Sequence, residues 1–237
     1  MTTKILFAAL LGSFTLLASC KKIKPSKIII TEQRYYETFT ELDVSDAFEV
    51  DVTYSDSDNK VSVEANQNLQ SKIVTDITNG KLTIKLKPNI RIKSSATLKV
   101  HIIVPELTKI KASGASRVEF LNELNTNSLN LDLSRASSLK GNLNLNSCNF
   151  DLSGASNVEL TGNINTAIIE LSGASSIGNY NCNIDTLSID LSGASSGSLT
   201  VNEIINIDAS GASSLNYKGN CTINTIELTG ASSINKK

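Results

Sequence analysis

Apolar and polar residues alternate along most of this chain, and a period of two is typical of β-strands. From about residue 108 to residue 235 the alternation recurs in seven segments, each followed by Ser-Gly-Ala-Ser or a close variant. Successive motifs are separated by 18 to 21 residues, and such a fixed period is typical of a solenoid. The glycine position of the motif is occupied by Gly114, Arg135, Gly154, Gly173, Gly193, Gly211 and Gly230.

Each repeat predicts one coil of a parallel β-helix. The positions four and two residues before the glycine are apolar in every repeat, as with Ile169 and Leu171, while the position between them is mostly acidic. About 19 residues at ~3.3 Å each give a path of roughly 60 Å, enough for one circuit of a small coil. No repeat has the 3.6-residue spacing of an amphipathic helix. We therefore predict an all-β fold, a parallel β-helix (β-solenoid) with coils of about 19 residues.

The motif itself is expected to form a corner between two strands. Glycine supplies the dihedral freedom that a corner needs, although Arg135 at the same position suggests that a positive φ is not compulsory. Alanine follows the glycine position in all seven repeats, for example at Ala174. We expect this alanine to point inward, where a bulkier side chain would not fit.

Residues 27–108 lack the motif but also contain strand patterns. Alternation over Val61–Ala65 and Leu98–Val104 predicts irregular N-terminal coils and a cap, continuous with the regular coils. We therefore assign residues 28–237 to a single domain. Hairpin turns are predicted at Asp56–Asn59 and, more strongly, at Asn79–Gly80.

The first twenty residues indicate an exported lipoprotein. Lys4 precedes an apolar run from Ile5 to Leu17 that is too short to span a bilayer comfortably, and Leu17-Ala18-Ser19-Cys20 resembles the bacterial lipobox. The resemblance implies cleavage before Cys20 and acylation of that cysteine; an N-terminal anchor helix is the alternative. We assign residues 1–19 to a signal peptide and 20–27 to the lipidated cysteine and a solvated tether. The predicted location is the outer membrane, on its periplasmic leaflet or at the cell surface. The periplasmic leaflet is favoured because no acidic run follows Cys20.

The composition excludes several classes of function. A net charge of −1 provides no basic field for nucleic acid, so no nucleic-acid partner is expected. The single histidine, His101, excludes multi-histidine metal sites and most histidine-centred catalysis. No cofactor is predicted. Cys148, Cys182 and Cys221 are expected to be buried and unpaired, with a Cys182–Cys221 disulfide as the alternative.

Charge is unevenly distributed along the chain. Residues 20–111 carry fifteen bases and twelve acids (+3), whereas residues 112–235 carry four bases and eleven acids (−7). The segment from Lys81 to Lys99 contains six bases and no acid. It could be an ordinary solvated strand face or a contact with anionic lipid or lipopolysaccharide beside the anchor.

The best candidate for chemistry is the position three residues before the glycine. Its carboxylates should face outward, one strand spacing (~4.8 Å) apart, and form an acidic ladder. The ladder consists of Asp132, Asp151, Glu170, Asp190, Asp208 and Glu227.

Three interpretations of the acidic ladder remain open: a solvated face that prevents aggregation, a divalent-cation site, or a surface for a polar glycan. Calcium is only a weak hypothesis, because the tight Gly-Gly-x-Gly-x-Asp calcium repeat is absent, and no metal site is assigned. Paired carboxylates also serve glycosidases, so a polysaccharide-active β-helix enzyme is the alternative function. Every coil repeats the same acidic residue, so no catalytic residue is singled out.

These features together resemble a known family. A lipobox, alternating strands that end at Val104-Pro105-Glu106-Leu107, and serial Ser-Gly-Ala-Ser motifs are similar to the putative auto-transporter adhesin family with a head GIN domain, over roughly residues 38–230. The resemblance implies a β-solenoid in the cell envelope and supplies no catalytic or binding residues. We therefore expect a lipid-anchored binding or structural module, with adhesion as the leading role and a glycan or another envelope component as its partner.

Overall fold

The computed structural model describes residues 21–34 and 36–237, which form strands almost throughout. The N-terminal part contains β1 (Lys21–Ile23), β2 (Ile29–Arg34), β3 (Glu41–Val44), β4 (Glu49–Tyr54), β5 (Lys60–Asn66), a 3-10 helix (Gln67–Lys72), β6 (Ile73–Thr78), β7 (Lys81–Leu86), β8 (Ile90–Ile92) and β9 (Leu98–Val104). The repeats contain β10 (Lys109–Ala112), β11 (Arg117–Phe120), β12 (Leu124–Leu133), β13 (Ser138–Leu152), β14 (Asn157–Leu171), β15 (Ser176–Ile177), β16 (Cys182–Leu191), β17 (Ser196–Ala209), β18 (Ser214–Lys218), β19 (Thr222–Leu228) and β20 (Ser233–Lys236).

The repeats stack as coils of a parallel β-solenoid, which confirms the predicted fold. Equivalent residues of successive coils pair in register: Leu131 pairs with Phe150, and Phe150 with Ile169. The same side-chain type therefore recurs one strand spacing higher on each coil, and the inward residues form continuous apolar columns.

Two faces flank the motif. The strands that precede it make the ladder face, in the order β7, β3, β10, β12, β13, β14, β16, β17, β19. The strands that follow it make the second face, in the order β9, β4, β11, β13, β14, β15, β17, β18, β20. β13, β14 and β17 are long enough to contribute to both faces.

The N-terminal strands continue the solenoid and then close it. β3 and β4 lie beneath β10 and β11 as one further coil, and β7 and β9 lie beneath them in turn. Antiparallel strands complete this end, because β6 pairs with β7, and β5 lies between β9 and β2.

One of the two predicted hairpins forms. Asn79 (φ 52°) and Gly80 (φ 73°) connect β6 to β7 with the two positive φ values of a type I′ turn. The prediction of a hairpin at Asp56–Asn59 was wrong, since β4 and β5 do not pair with each other. Both pair with β9, which lies between them.

The corner differs from the prediction in two ways. Arg135 has φ 67°, within the range of 67–77° found at all seven glycine positions, so the positive φ is adopted in every repeat. The positive φ interrupts the alternation of inward and outward residues, so that the following alanine is exposed and the next serine points inward. Ala174 is exposed, whereas Ser175 is 1% exposed. The prediction that the alanine column points inward was therefore wrong.

The core is one continuous column of apolar side chains, most of them aliphatic, that runs from Phe39 to Tyr217. Phe39, Phe48 and Phe150 are its largest fully buried members. The column is open at the C-terminal coil. Ile226 is 50% and Leu228 40% exposed there, because no further described coil covers them.

Residues 21–27 lie along the domain, in contrast to the solvated tether expected from the sequence. β1 pairs in parallel with β8, and the Lys93 N–H donates to the Ile23 carbonyl at 3.0 Å. The Ser26 N–H donates to Asn68 Oδ1 at 2.9 Å. The predicted signal peptide and Cys20 lie outside the described residues. Within the described part of the chain, no helix is long and apolar enough to cross a membrane.

Candidate binding face

The structure aligns all six carboxylates of the acidic ladder on the ladder face. Asp132 pairs with Asp151, Asp151 with Glu170, and the register continues through Asp190 and Asp208 to Glu227. The inward residues on either side of each carboxylate set its direction; Ile169 and Leu171 are each 1% exposed and hold Glu170 outward. Neighbouring ladder positions are therefore about 4.8 Å apart at the backbone.

Two polar columns run beside the acidic ladder. Two residues after each carboxylate lies a serine or threonine, such as Ser153 and Ser172, which begins the corner. The column on the other side contains Asn130, Asn149, Ser188 and Asn206, but it also contains Ile168, which is 48% exposed. The ladder face therefore presents hydroxyl, amide and carboxylate groups in a regular grid.

The acidic ladder has a basic residue at one end. Lys111 occupies the ladder position of the preceding coil, between Asp43 and Asp132. Its Nζ donates to Asp132 Oδ2 at 2.8 Å, and this hydrogen bond raises the pKa of the Lys111 amine. Lys111 was not among the predicted site residues, although its position three residues before Gly114 was a signal for it.

The remaining carboxylates have no cationic partner within the described residues. Asp132 is the only ladder member in an ion pair there, and Asp151, Glu170, Asp190 and Asp208 are exposed. Like charges one strand spacing apart repel by about 1 kcal/mol in bulk water. This stretch of the ladder therefore favours a ligand with hydrogen-bond donors or positive charge.

These four carboxylates line an open depression of about 290 Å³, together with Ser172, Ser192 and Ser210. It is small beside typical pockets for drug-sized molecules, and Leu171 and Leu191 also line it between the carboxylates and the serines. The arrangement therefore fits an extended polar ligand lying along the face rather than a small molecule enclosed in a cleft.

The geometry gives no support to a metal centre. Across residues 21–34 and 36–237 there is no group of three or more His, Cys, Asp or Glu side chains placed to hold a metal ion. Each coil contributes a single carboxylate to the acidic ladder, so three of them do not converge on one point.

His101 lies far from the acidic ladder in the fold, on the second face. Its Nδ1 is 3.2 Å from Asp51 and its Nε2 is 3.4 Å from Glu64, and Lys99 also pairs with Asp51. The three described cysteines are all free, which does not support the alternative Cys182–Cys221 disulfide. Burial raises the pKa of the Cys182 thiol to about 11, so this thiol is unreactive at neutral pH.

Comparisons with known proteins agree with this architecture. Residues 38–221 match the family described as "Putative auto-transporter adhesin, head GIN domain". Among solved structures, the chain is similar to a putative adhesin from Bacteroides fragilis, with 22% identity and a TM-score of 0.86 over 91% of this chain and 100% of that one. No curated protein matches the chain.

Two further solved structures share the fold. A putative adhesin from Parabacteroides distasonis has 16% identity and a TM-score of 0.75, over 92% of this chain and 100% of that one. A putative adhesin from Parabacteroides merdae has 16% identity and a TM-score of 0.72, over 91% and 99%. At these identities the likeness establishes the fold alone.

Proposed function

Because this chain belongs to the putative auto-transporter adhesin family with a head GIN domain, we propose that it is a cell-envelope binding module whose role is adhesion. The observation that carries the proposal is the ladder face. Its exposed carboxylates repeat in register over successive coils and line an open depression with the corner serines.

The proposed ligand is an extended polar glycan. Carboxylate, amide and hydroxyl groups are the side chains that hydrogen-bond sugar hydroxyls, and here they recur with the spacing of the strands. A polymer along the ladder face would contact several coils at once, so weak contacts at each coil would add through multivalency. The regular repetition gives no single carboxylate the distinct environment that an acid–base pair requires, which supports a non-enzymatic role.

A glycan array tests this proposal with the full chain as the probe. The matched variants are Asp151→Asn/Glu170→Gln/Asp190→Asn on the ladder and Glu123→Gln/Glu159→Gln/Glu203→Gln away from it, which lose the same charge. We expect the ladder variant to lose binding to the recognised glycans and the control to keep it. Equal losses in both variants would contradict a site on the ladder face. A parallel assay of chain shortening in acidic polysaccharides would reveal the alternative, a polysaccharide-active enzyme.

The proposed attachment to the envelope is lipid on Cys20, with the outer membrane as its location. It is supported by the sequence Leu17-Ala18-Ser19-Cys20 and by the closeness of Cys20 to β1 along the chain. Two or three acyl chains would anchor the protein firmly, at about 0.8 kcal/mol per buried CH₂. Labelling with a fatty-acid analogue should mark the wild-type chain and fail with Cys20→Ala; equal labelling of both would exclude this site. Protease treatment of intact cells would then distinguish the cell surface from the periplasmic leaflet.

A further inference from the structure

The N-terminal end of the solenoid is built from three short segments that contact one another. These segments are residues 21–28, the 3-10 helix and residues 87–93, and together we call them the basic end. β1 pairs with β8, Asn68 Nδ2 donates to the Lys24 carbonyl at 2.9 Å, and the Lys87 N–H donates to the Lys72 carbonyl at 2.8 Å. These contacts hold the start of the described chain against the domain.

The basic end has a one-sided charge. None of its three segments contains an acidic residue, and its exposed bases are Lys22, Lys24, Lys27, Lys87, Arg91 and Lys93. An acid approaches at the border, where Asp46 accepts a hydrogen bond from the Leu86 N–H at 2.9 Å. The six side chains make no ion pair within the described residues, so their charge is open to solvent.

Two apolar side chains accompany these bases. Ile28 is 60% and Ile29 48% exposed, next to Lys27 and at the start of β2. Exposed isoleucines beside lysines combine the two attractions of interfacial membrane binding, apolar burial among the headgroups and attraction to anionic lipid. A solvated strand face would need the lysines but not the isoleucines.

The rest of the molecule has the opposite charge. Residues 112–235, which form the regular coils, carry a net charge of −7, and the exposed carboxylates of the acidic ladder lie on these coils. An anionic surface would therefore attract the basic end and repel the regular coils. The attraction of the basic end and the repulsion of the regular coils favour the same orientation of the molecule, with the basic end toward the surface.

We propose that the basic end is a membrane-contact surface that binds bilayers containing anionic phospholipid. Lys22, Lys24 and Lys27 of the first segment and Lys87, Arg91 and Lys93 of the third contact the headgroups, and Ile28 and Ile29 enter the interface. The solenoid then stands on the lipid, with the acidic ladder extending away from it and the open C-terminal coil at the far end. This orientation rests on the proposed acylation of Cys20, one peptide bond before β1, whereas the affinity for anionic lipid does not.

Vesicle flotation tests the surface without the lipid anchor. The protein is the full chain with Cys20→Ser, which cannot be acylated at residue 20. It is mixed with vesicles of phosphatidylcholine alone or of phosphatidylcholine with phosphatidylglycerol. All variants keep residues 1–19, so any contribution of that apolar segment is equal in every comparison. We expect stronger partition onto the phosphatidylglycerol vesicles, and added sodium chloride should remove this preference.

Matched charge variants locate the surface. Each base near an anionic membrane contributes about fivefold in affinity, so Lys87→Gln/Arg91→Gln/Lys93→Gln should weaken partition by roughly a hundredfold. Arg135→Gln/Lys140→Gln/Lys218→Gln loses the same charge from exposed bases of the regular coils and should change it little. Ile28→Ser/Ile29→Ser should weaken partition onto both kinds of vesicle.

Two results would overturn the proposal. One is equal partition onto the two kinds of vesicle, and the other is an equal loss in the two charge variants, which would reflect net charge rather than a surface. The acylation of Cys20 is read separately by fatty-acid labelling. A failed anchor and a failed lipid surface are therefore distinguishable.

Discussion

Two adjacent residues of the motif have opposite environments, and only one of them contributes to the core. Ser175 Oγ donates to the carbonyls of Ser172 (2.8 Å) and of Leu152 in the preceding coil (3.1 Å), so it joins the corner to the coil beneath. Ala174 is exposed, and its backbone N–H donates to the Gly154 carbonyl at 2.7 Å. The hydroxyl of the serine and the backbone of the alanine therefore stabilise the corner.

Substitutions at these two positions should have unequal effects. Ser175→Ala removes the buried hydroxyl whose proton the Ser172 and Leu152 carbonyls share, and should lower the free energy of unfolding by about 1–3 kcal/mol. Ala174→Ser adds a hydroxyl that water can reach and should change it by less than about 0.5 kcal/mol. Urea unfolding curves measure both. A larger loss for Ala174→Ser than for Ser175→Ala would contradict the inward assignment of the serine.

The two columns could not be distinguished from the sequence, because alanine and serine are equally invariant and similar in size. The direction of each depends on the φ of the preceding residue. Arg135 at one glycine position suggested an ordinary φ, and its observed value of 67° shows that the stacked backbone imposes the left-handed conformation. The glycines avoid a close contact there, since a Cβ on Gly173 would lie 2.6 Å from the Gly154 carbonyl oxygen.

Among the strands, equivalent inward residues are buried in the middle of the solenoid and partly exposed in its C-terminal coil. Ile169 and Ile226 occupy the same position of different coils, four residues before the glycine, but they are 1% and 50% exposed. β14, which contains Ile169, has a coil on each side, whereas among the described strands β19 pairs with β17 alone. The same side chain should therefore contribute unequally to stability.

Truncation of each isoleucine measures this difference. Ile169→Ala creates a buried cavity and should cost about 2–5 kcal/mol, while Ile226→Ala should cost less than about 1 kcal/mol. Urea unfolding again provides the measurement. Equal losses would mean that the C-terminal coil is covered in solution.

The strands of the regular coils were predictable because inward residues recur at fixed positions. The Asn79–Gly80 turn was also predictable, since its residues suit two positive φ values. The failure at Asp56–Asn59 has a physical reason: local residues favour a turn but do not specify which strands pair. The position of β9 between β4 and β5, and the pairing of β1 with β8, depend on contacts between residues distant in sequence.

At the scale of the whole molecule, charge is separated along the solenoid axis. The acidic ladder was predictable from the repeat period, because a parallel register places equivalent residues beside one another. The pairing of Lys111 with Asp132 extends the ladder toward the basic end. Repulsion along the unpaired carboxylates should weaken the fold when little salt is present.

Salt should therefore stabilise the protein, and calcium should add nothing specific. The Debye length of about 10 Å at 0.1 M exceeds the ~4.8 Å between neighbouring ladder positions, so sodium chloride should raise the melting temperature gradually. Glu170→Gln should reduce this response. Calcium chloride at equal ionic strength should give the same melting temperature as sodium chloride; an excess of several degrees would indicate a cation site.

A single glycan that lies along several coils of the ladder face should bind with an affinity that depends on its length. The measurement is the affinity of the full chain for a recognised glycan prepared at increasing lengths, compared with that of Asp151→Asn/Glu170→Gln/Asp190→Asn. Affinity should rise with length for the wild-type chain until the glycan spans the exposed ladder, and the variant should lose most of this increase. An affinity independent of length, or an increase that the variant retains in full, would contradict the claim.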